Sequence, residues 1–248
     1  MTGNPIWRES IAIYFAEGHG FQVYFYLLII LAPVEFFSLY IPSLDAQMWS
    51  GSASLFKVCA VAAELLVIYF SLRVANQEFA PWRFKPLRHW IRDEGQSVEV
   101  IGQGQWNFFL THVGLALLVI LPLLAWAGAI ARTPLSSIAG TMLLLLFYSL
   151  CYGVWGLAAL ALWERRLENR QVFVRCLFTA LVIISALFYG AINPVIFLVA
   201  YLGRQELAPL IIFGWPLPAS WIHFAFHLLL GGVGYWLHRR ALRRELAG

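Results

Sequence analysis

The sequence predicts an all-α, polytopic membrane protein. It has six transmembrane helices, an amphipathic interfacial helix ahead of the first, and a re-entrant or short-helix segment before the last. Three observations predict this. Hydrophobic residues fill 61% of the 248 positions and charged residues only 12%, whereas soluble domains are about half apolar. The apolar residues gather in runs of roughly the 20 residues that a helix needs to cross a bilayer. The basic residues between those runs concentrate in alternate links. The chain therefore reads as a single transmembrane domain over residues 1–248.

Residues 1–20 lack the early apolar stretch and small-residue cleavage site of a signal peptide. Trp7, Ile11, Tyr14 and Phe15 recur at helical spacing, with Arg8, Glu9 and Glu17 elsewhere around the wheel. That pattern predicts a helix lying in the membrane interface. Gly18 and Gly20 permit a turn into the first span.

The spans are expected at 21–40, 53–72, 108–130, 138–163, 172–190 and 219–237. The first contains Pro33 and Glu35, and the third contains Pro122. A short link at 41–52 holds Pro42, Asp45 and Gly51. Between the last two spans the chain stays apolar but is broken by Asn193-Pro194, Gly203, Pro209, Gly214, Pro216 and Pro218. Short re-entrant or interfacial helices suit that stretch, because freed backbone groups are tolerated only where protein or water shields them.

Six crossings leave both termini on one side, and the arginines test this. Fourteen of the 17 basic residues fall on that side: Arg8, the five at 73–92, the four at 165–175, and Arg239, Arg240, Arg243 and Arg244. The opposite side holds Lys57, Arg132 and Arg204. By the positive-inside rule both termini are cytoplasmic. Within the cytoplasmic stretch, Phe79, Trp82, Phe84 and Trp90 interleave with Arg83, Lys85, Arg88 and His89. Such a mixture can stack on nucleic acid. Between two spans it makes an interfacial belt over anionic lipid, so the bilayer and not a nucleic acid is the expected partner.

The segment 92–105 is polar and punctuated by glycine between two apolar runs. It is expected to form a short helix begun by Asp93 or Glu94, with Val98 and Ile101 on one apolar face. Two readings stand at this point: a grip for a soluble partner, or an ordinary interfacial loop.

Few residues offer chemistry. The only lysines, Lys57 and Lys85, are followed by Val58 and Pro86, so no phosphate-binding loop exists. Cys59, Cys151 and Cys176 show neither zinc nor disulfide spacing. His223 and His227 stand four apart, but Phe224 occupies the place where a zinc protease helix carries glutamate. An intramembrane metal- or haem-dependent enzyme using His112, His223 and His227 is one alternative. A non-catalytic anchoring subunit is another. Glu35 and Glu64 are acids inside expected spans, where a carboxyl is costly unless protonated, paired or facing a polar cavity. They are candidates either for a substrate path or for bonding between helices.

The run Asp93-Glu94-Gly95-Gln96-Ser97-Val98-Glu99 resembles the acidic-Gly-Thr-x-Glu run of type-2 ABC-transporter permeases (the ABC-2 family). Residues 163–171, WERRLENRQ, are similar to that family's short basic turn, and the order of spans resembles it over nearly the whole chain. The resemblance implies a permease subunit in the plasma (bacterial inner) membrane that works by alternating access, with export rather than import the expected direction. It implies a separate ATP-binding cassette subunit that holds ATP and Mg, a second permease copy or homologue, and no cofactor in this chain. It also implies that Asp93, Glu94, Gly95, Val98, Glu99 and Ile101 couple to the ATPase.

Overall fold

A backbone surrounded by apolar side chains must satisfy its own hydrogen bonds, and helix is the local solution for a single segment. The computed structural model describes residues 3–16, 18–40, 54–212 and 214–244. Helix dominates: α1 (Pro5–Ala16), α2 (His19–Tyr40), α3 (Leu55–Ala75), α4 (Leu87–Arg92), α5 (Val98–Ile130), α6 (Leu135–Leu162), α7 (Leu167–Phe178), α8 (Pro194–Gly203) and α9 (Ala219–Arg244). Among the described residues five helical stretches are long and apolar enough to cross a membrane: Gly20–Leu39, Leu55–Ala75, Val98–Ile130, Leu135–Leu162 and Leu167–Leu187. A multi-pass membrane protein follows from these. The expected link at 41–52, with the first residue of the expected second span, lies outside the described residues.

Helices α3 and α6 form the centre, with α2 and α5 against α3, and α9 against α6. Small residues set these distances, as they do where helices associate in lipid. A Cβ on Gly156 of α6 would collide with the Leu72 carbonyl of α3. The amphipathic α1 packs on α5 and α2 and buries Ile6, Ser10 and Tyr14. A Cβ on Gly104 of α5 would stand 2.7 Å from Ile6 Cβ, so that glycine sets how closely α1 approaches.

Side-chain pairing fixes helix direction. Tyr148 bonds His223 and Tyr152 bonds His227, so α6 and α9 ascend together and run parallel. The intervening chain must therefore travel back along the bundle once. One end of the bundle is closed by a cluster of Ile6, Leu87, Trp90, Val98, Ile101 and Leu242. This cluster brings α1 and the far end of α9 to the same end. At the other end Lys57, Arg132 and Arg204 border one groove, so the sparse basic residues are gathered there together.

The structure revises two expectations. Residues 92–105 are not a separate helix. The short helix of the link is α4, and α5 begins already at Val98 and runs unbroken for 33 residues to Ile130. Residues 172–190 are not one α-helix either. After α7 come a π-helical turn (Thr179–Ile183) and two 3-10 turns (Ile184–Leu187 and Gly190–Ile192). The all-α class itself stands, with one small addition. Strands β1 (Leu210–Ile212) and β2 (Trp215–Leu217) pair antiparallel, with Leu210 opposite Leu217. Gly214, at φ +83°, supplies a left-handed turn residue between them.

Candidate functional site

Two polar constructions stand out, one at the closed end and one inside the bundle. The first is the turn from α4 to α5. Leu87 and Trp90 bury one side of α4, and the Leu87 amide donates to Glu164 Oε1 at 2.5 Å. The chain then doubles back at the end of α4. The Asp93 and Glu94 amides donate to the His89 carbonyl, and the Gln96 amide donates to the Trp90 carbonyl. Gly95 at φ +64° supplies the left-handed residue that this turn requires. Ser97 then caps α5, its Oγ accepting from the Val100 amide at 3.3 Å.

The helix is thus opened by Ser97, not by Asp93 or Glu94 as expected. Those acids sit in the turn. Asp93 lies 2.7 Å from His89 Nδ1, and Glu94 accepts from Lys85 Nζ at 2.8 Å. Lys85 also reaches Glu9 of α1 at 3.2 Å. The Lys85 bond holds the Glu94 carboxyl below its ordinary range, and the bonds to Glu94 and Glu9 raise the Lys85 ammonium above its own.

The expected outward apolar face is corrected by burial. Val98 and Ile101 are 4% and 1% exposed, because they pack in this chain's own end cluster. Neither is free to anchor a soluble partner. What remains outward is polar: Arg88, Arg92, Asp93, Glu94, Gly95 and Glu99 are all exposed.

The second construction lies between α6, α9 and the broken segment. His223 Nδ1 lies 2.7 Å from the Ala191 carbonyl, and His227 Nδ1 lies 2.9 Å from the His223 carbonyl. A carbonyl oxygen only accepts, so both Nδ1 atoms donate. In the neutral rings Nε2 is then the acceptor, and it takes the hydroxyl protons of Tyr148 at 2.6 Å and Tyr152 at 3.2 Å. Phe197 of α8 stacks on His223 with ring centroids 3.7 Å apart. His223 thereby ties together α6, α8, α9 and the 3-10 turn at Gly190–Ile192.

This network explains how a broken helix persists in apolar surroundings. Each break frees carbonyls that lipid cannot satisfy. Ser185 Oγ donates to the Leu181 carbonyl, and Asn193 Nδ2 donates to the Val182 carbonyl at 2.7 Å and to Ser185 Oγ at 2.9 Å. Asn193 Oδ1 accepts from the Ile196 amide and so caps α8, where Pro194 takes the first helical position.

The remaining candidates do not join these two sites into one. Glu64 on α3 is fully buried, and neither carboxyl oxygen has a hydrogen-bond partner. It makes no hydrogen bond to Tyr148 or Tyr152. Glu35 on α2 is buried, with Oε1 unpartnered. His112 on α5 meets the Tyr24 hydroxyl through Nδ1 at 3.2 Å and leaves Nε2 without a partner. Among the described residues no three His, Cys, Asp or Glu side chains gather as metal ligands.

Tyr148, Tyr152, Ser185 and Tyr24 escaped the sequence reading. A signal existed for the first two. Tyr148 and Tyr152 stand four apart on one apolar helix, as do His223 and His227 on another, and matched spacings on parallel helices can interlock. Comparison with known proteins adds nothing to this geometry: no protein-family model, curated protein or solved structure matches the chain.

Proposed function

We propose that this chain is the membrane-spanning permease subunit of an ABC transporter of the type-2 kind, exporting its substrate by alternating access. A separate cassette subunit binds ATP and Mg, and a second permease copy or homologue completes the path. In this reading α9 is the sixth span, and both termini face the cytoplasm across a bacterial plasma membrane. The parallel course of α6 and α9, and the shared cluster of α1 with the end of α9, support an even number of crossings. The gathering of Lys57, Arg132 and Arg204 at the opposite end supports the orientation.

One observation carries the functional reading: the exposed turn 93–97 is continuous with α5, which is unbroken over 33 residues. A helix of that length is roughly 50 Å long, enough to pass through the bilayer. A displacement imposed on the turn by an ATPase therefore moves a rigid element reaching the other face, which is the kind of two-state element that coupling requires. The docking contribution comes from exposed charges, Asp93, Glu94 and Glu99 with Arg88 and Arg92, and not from Val98 or Ile101. The alternative of an intramembrane enzyme draws no support from His223 and His227, whose ring nitrogens are all engaged by protein groups.

The test is charge reversal at the turn. Asp93→Lys with Glu99→Lys should abolish co-purification of the cassette subunit, or uncouple its ATP turnover from transport in lipid vesicles. Thermal stability of the permease should hold, because both side chains are exposed. Normal association and coupled turnover in this variant would remove the docking role.

A further inference from the structure

The exposed face of α9 changes character once along its length. Trp221, Phe224, Leu228, Leu229, Val233 and Trp236 lie outward on it, each more than a third exposed. From Ser220 to Arg240 that face carries no charge until Arg239 and Arg240, a distance of roughly 30 Å on a helix and close to the thickness of a hydrocarbon core. Tryptophan stands near both ends, where aromatic belts sit. The face then turns to arginine: Arg239, Arg240, Arg243 and Arg244 border an open groove of about 490 Å³ together with Tyr235 and Trp236.

The groove has the features of an anion site at headgroup depth. Among the described residues none of its four arginines forms an ion pair. The Arg240 guanidinium lies over the Trp236 ring at 4.9 Å, which holds its planar fork at the helix surface. Tyr235 is itself held in place by Trp106 of α5, which meets it edge to face at 6.0 Å. A neighbouring recess shares Tyr235 and Arg239 and contains one acid, Glu99, so the local charge stays strongly positive.

We propose that this groove binds the phosphate headgroup of an anionic phospholipid of the arginine-rich leaflet, with the acyl chains lying along Leu229 and Val233. Guanidinium pairs phosphate in a fork geometry that a solvated ammonium does not reproduce, and the apolar stripe directly above supplies the tail surface. The assignment rests on α9 crossing the membrane, but not on the coupling role of the α4–α5 turn.

The test uses the purified full chain, reconstituted in vesicles of equal phosphatidylglycerol and phosphatidylcholine. It is re-extracted in mild detergent, and its retained lipid is counted by mass spectrometry. Phosphatidylglycerol should be enriched about fivefold or more over phosphatidylcholine, since each basic residue at an anionic surface contributes roughly a factor of five. Arg240→Ala with Arg243→Ala and Arg244→Ala should return the ratio to that of the vesicle. The same three positions changed to lysine should keep a reduced enrichment. A bulk ratio in the wild-type chain, or enrichment that survives the alanine changes, would overturn the proposal. So would disulfide capture of a second copy through Leu229→Cys, which would make this face a protein interface. The transporter reading is judged separately, by whether the alanine variant still retains the cassette subunit.

Discussion

Helix α5 and the stretch from α7 to α8 are both apolar and both interrupted in sequence by helix-breaking residues, yet only one of them breaks. Pro122 and several glycines sit within α5, which stays helical from Val98 to Ile130. The second stretch leaves the α-helix after Phe178 and resumes it at Pro194. The difference lies in what waits for the freed carbonyls. Beside the broken stretch stand Ser185, Asn193 and His223, each donating to a carbonyl there. A proline alone does not decide where a helix in lipid gives way. Here the break coincides with Asn193 and His223, whose side chains reach carbonyls far from their own helical turn.

The largest expected effect is at the closed end. Ile101→Asp puts a carboxylate into the cluster that joins α1, α4, α5 and α9, and burying such a group without a partner costs at least about 4 kcal/mol. The variant should fail to give a monodisperse peak on size exclusion. Folding is what this position controls. Next comes the broken segment. Asn193→Leu removes the α8 cap and leaves the Val182 carbonyl unsatisfied, a loss of about 2–4 kcal/mol. Pro122→Ala in α5 should cost under about 1 kcal/mol or stabilise. Thermal aggregation in detergent compares the two, and equal sensitivity would break the contrast between them.

Glu64 sharpens the comparison from the other side. It is buried without a partner, so Glu64→Leu relieves an unsatisfied group and should leave stability unchanged or raise it by about 1 kcal/mol. Lost transport with retained stability would mark the acid as part of the substrate path. Lost stability would mean that it bonds a group the present arrangement does not show.

The smallest effect is electrostatic and exposed. Glu94 lies below the ordinary carboxylate range, so its contribution is present above that range and fades as pH falls through the lowered value. Lys85 lies above its ordinary range, so its contribution is present below that range and fades only as pH rises through the raised value. The turn should therefore keep both contributions across neutral pH and lose the Glu94 part in acid. Hydrogen exchange at the Gln96 amide reports this directly. Both side chains are solvent-facing, so 1 M salt should remove most of the effect.

Much of this arrangement is legible in the sequence. The apolar runs give the helices, Asn193-Pro194 marks a break that the structure turns into the start of α8, and the arginines sort the links between two ends. Other parts are not, for identifiable reasons. Gly102, Gln103, Gly104 and Gln105 look like a polar link, but they continue α5 because α1 and α9 pack against that turn of the helix. A Cβ on Gly102 would meet Leu242, and one on Gly104 would meet Ile6. Val98 and Ile101 do share a face, yet local sequence does not say whether another protein or the same chain covers it. The hairpin at 210–217 is hidden because its turn depends on the conformation of Gly214, not on an alternating pattern. The Tyr148–His223 and Tyr152–His227 pairs exist only once α6 and α9 lie parallel.

The central claim is that the exposed α4–α5 turn is where a cytoplasmic ATPase acts. A photo-reactive amino acid placed at Glu94, and separately at Arg132 on the opposite end, tests this in intact cells co-expressing the cassette subunit. The account predicts a cross-link from position 94 to a subunit carrying a phosphate-binding loop, strengthened when ATP hydrolysis is blocked, and none from position 132. A cross-link from 132, or none from 94 while the two chains still co-purify, would contradict it.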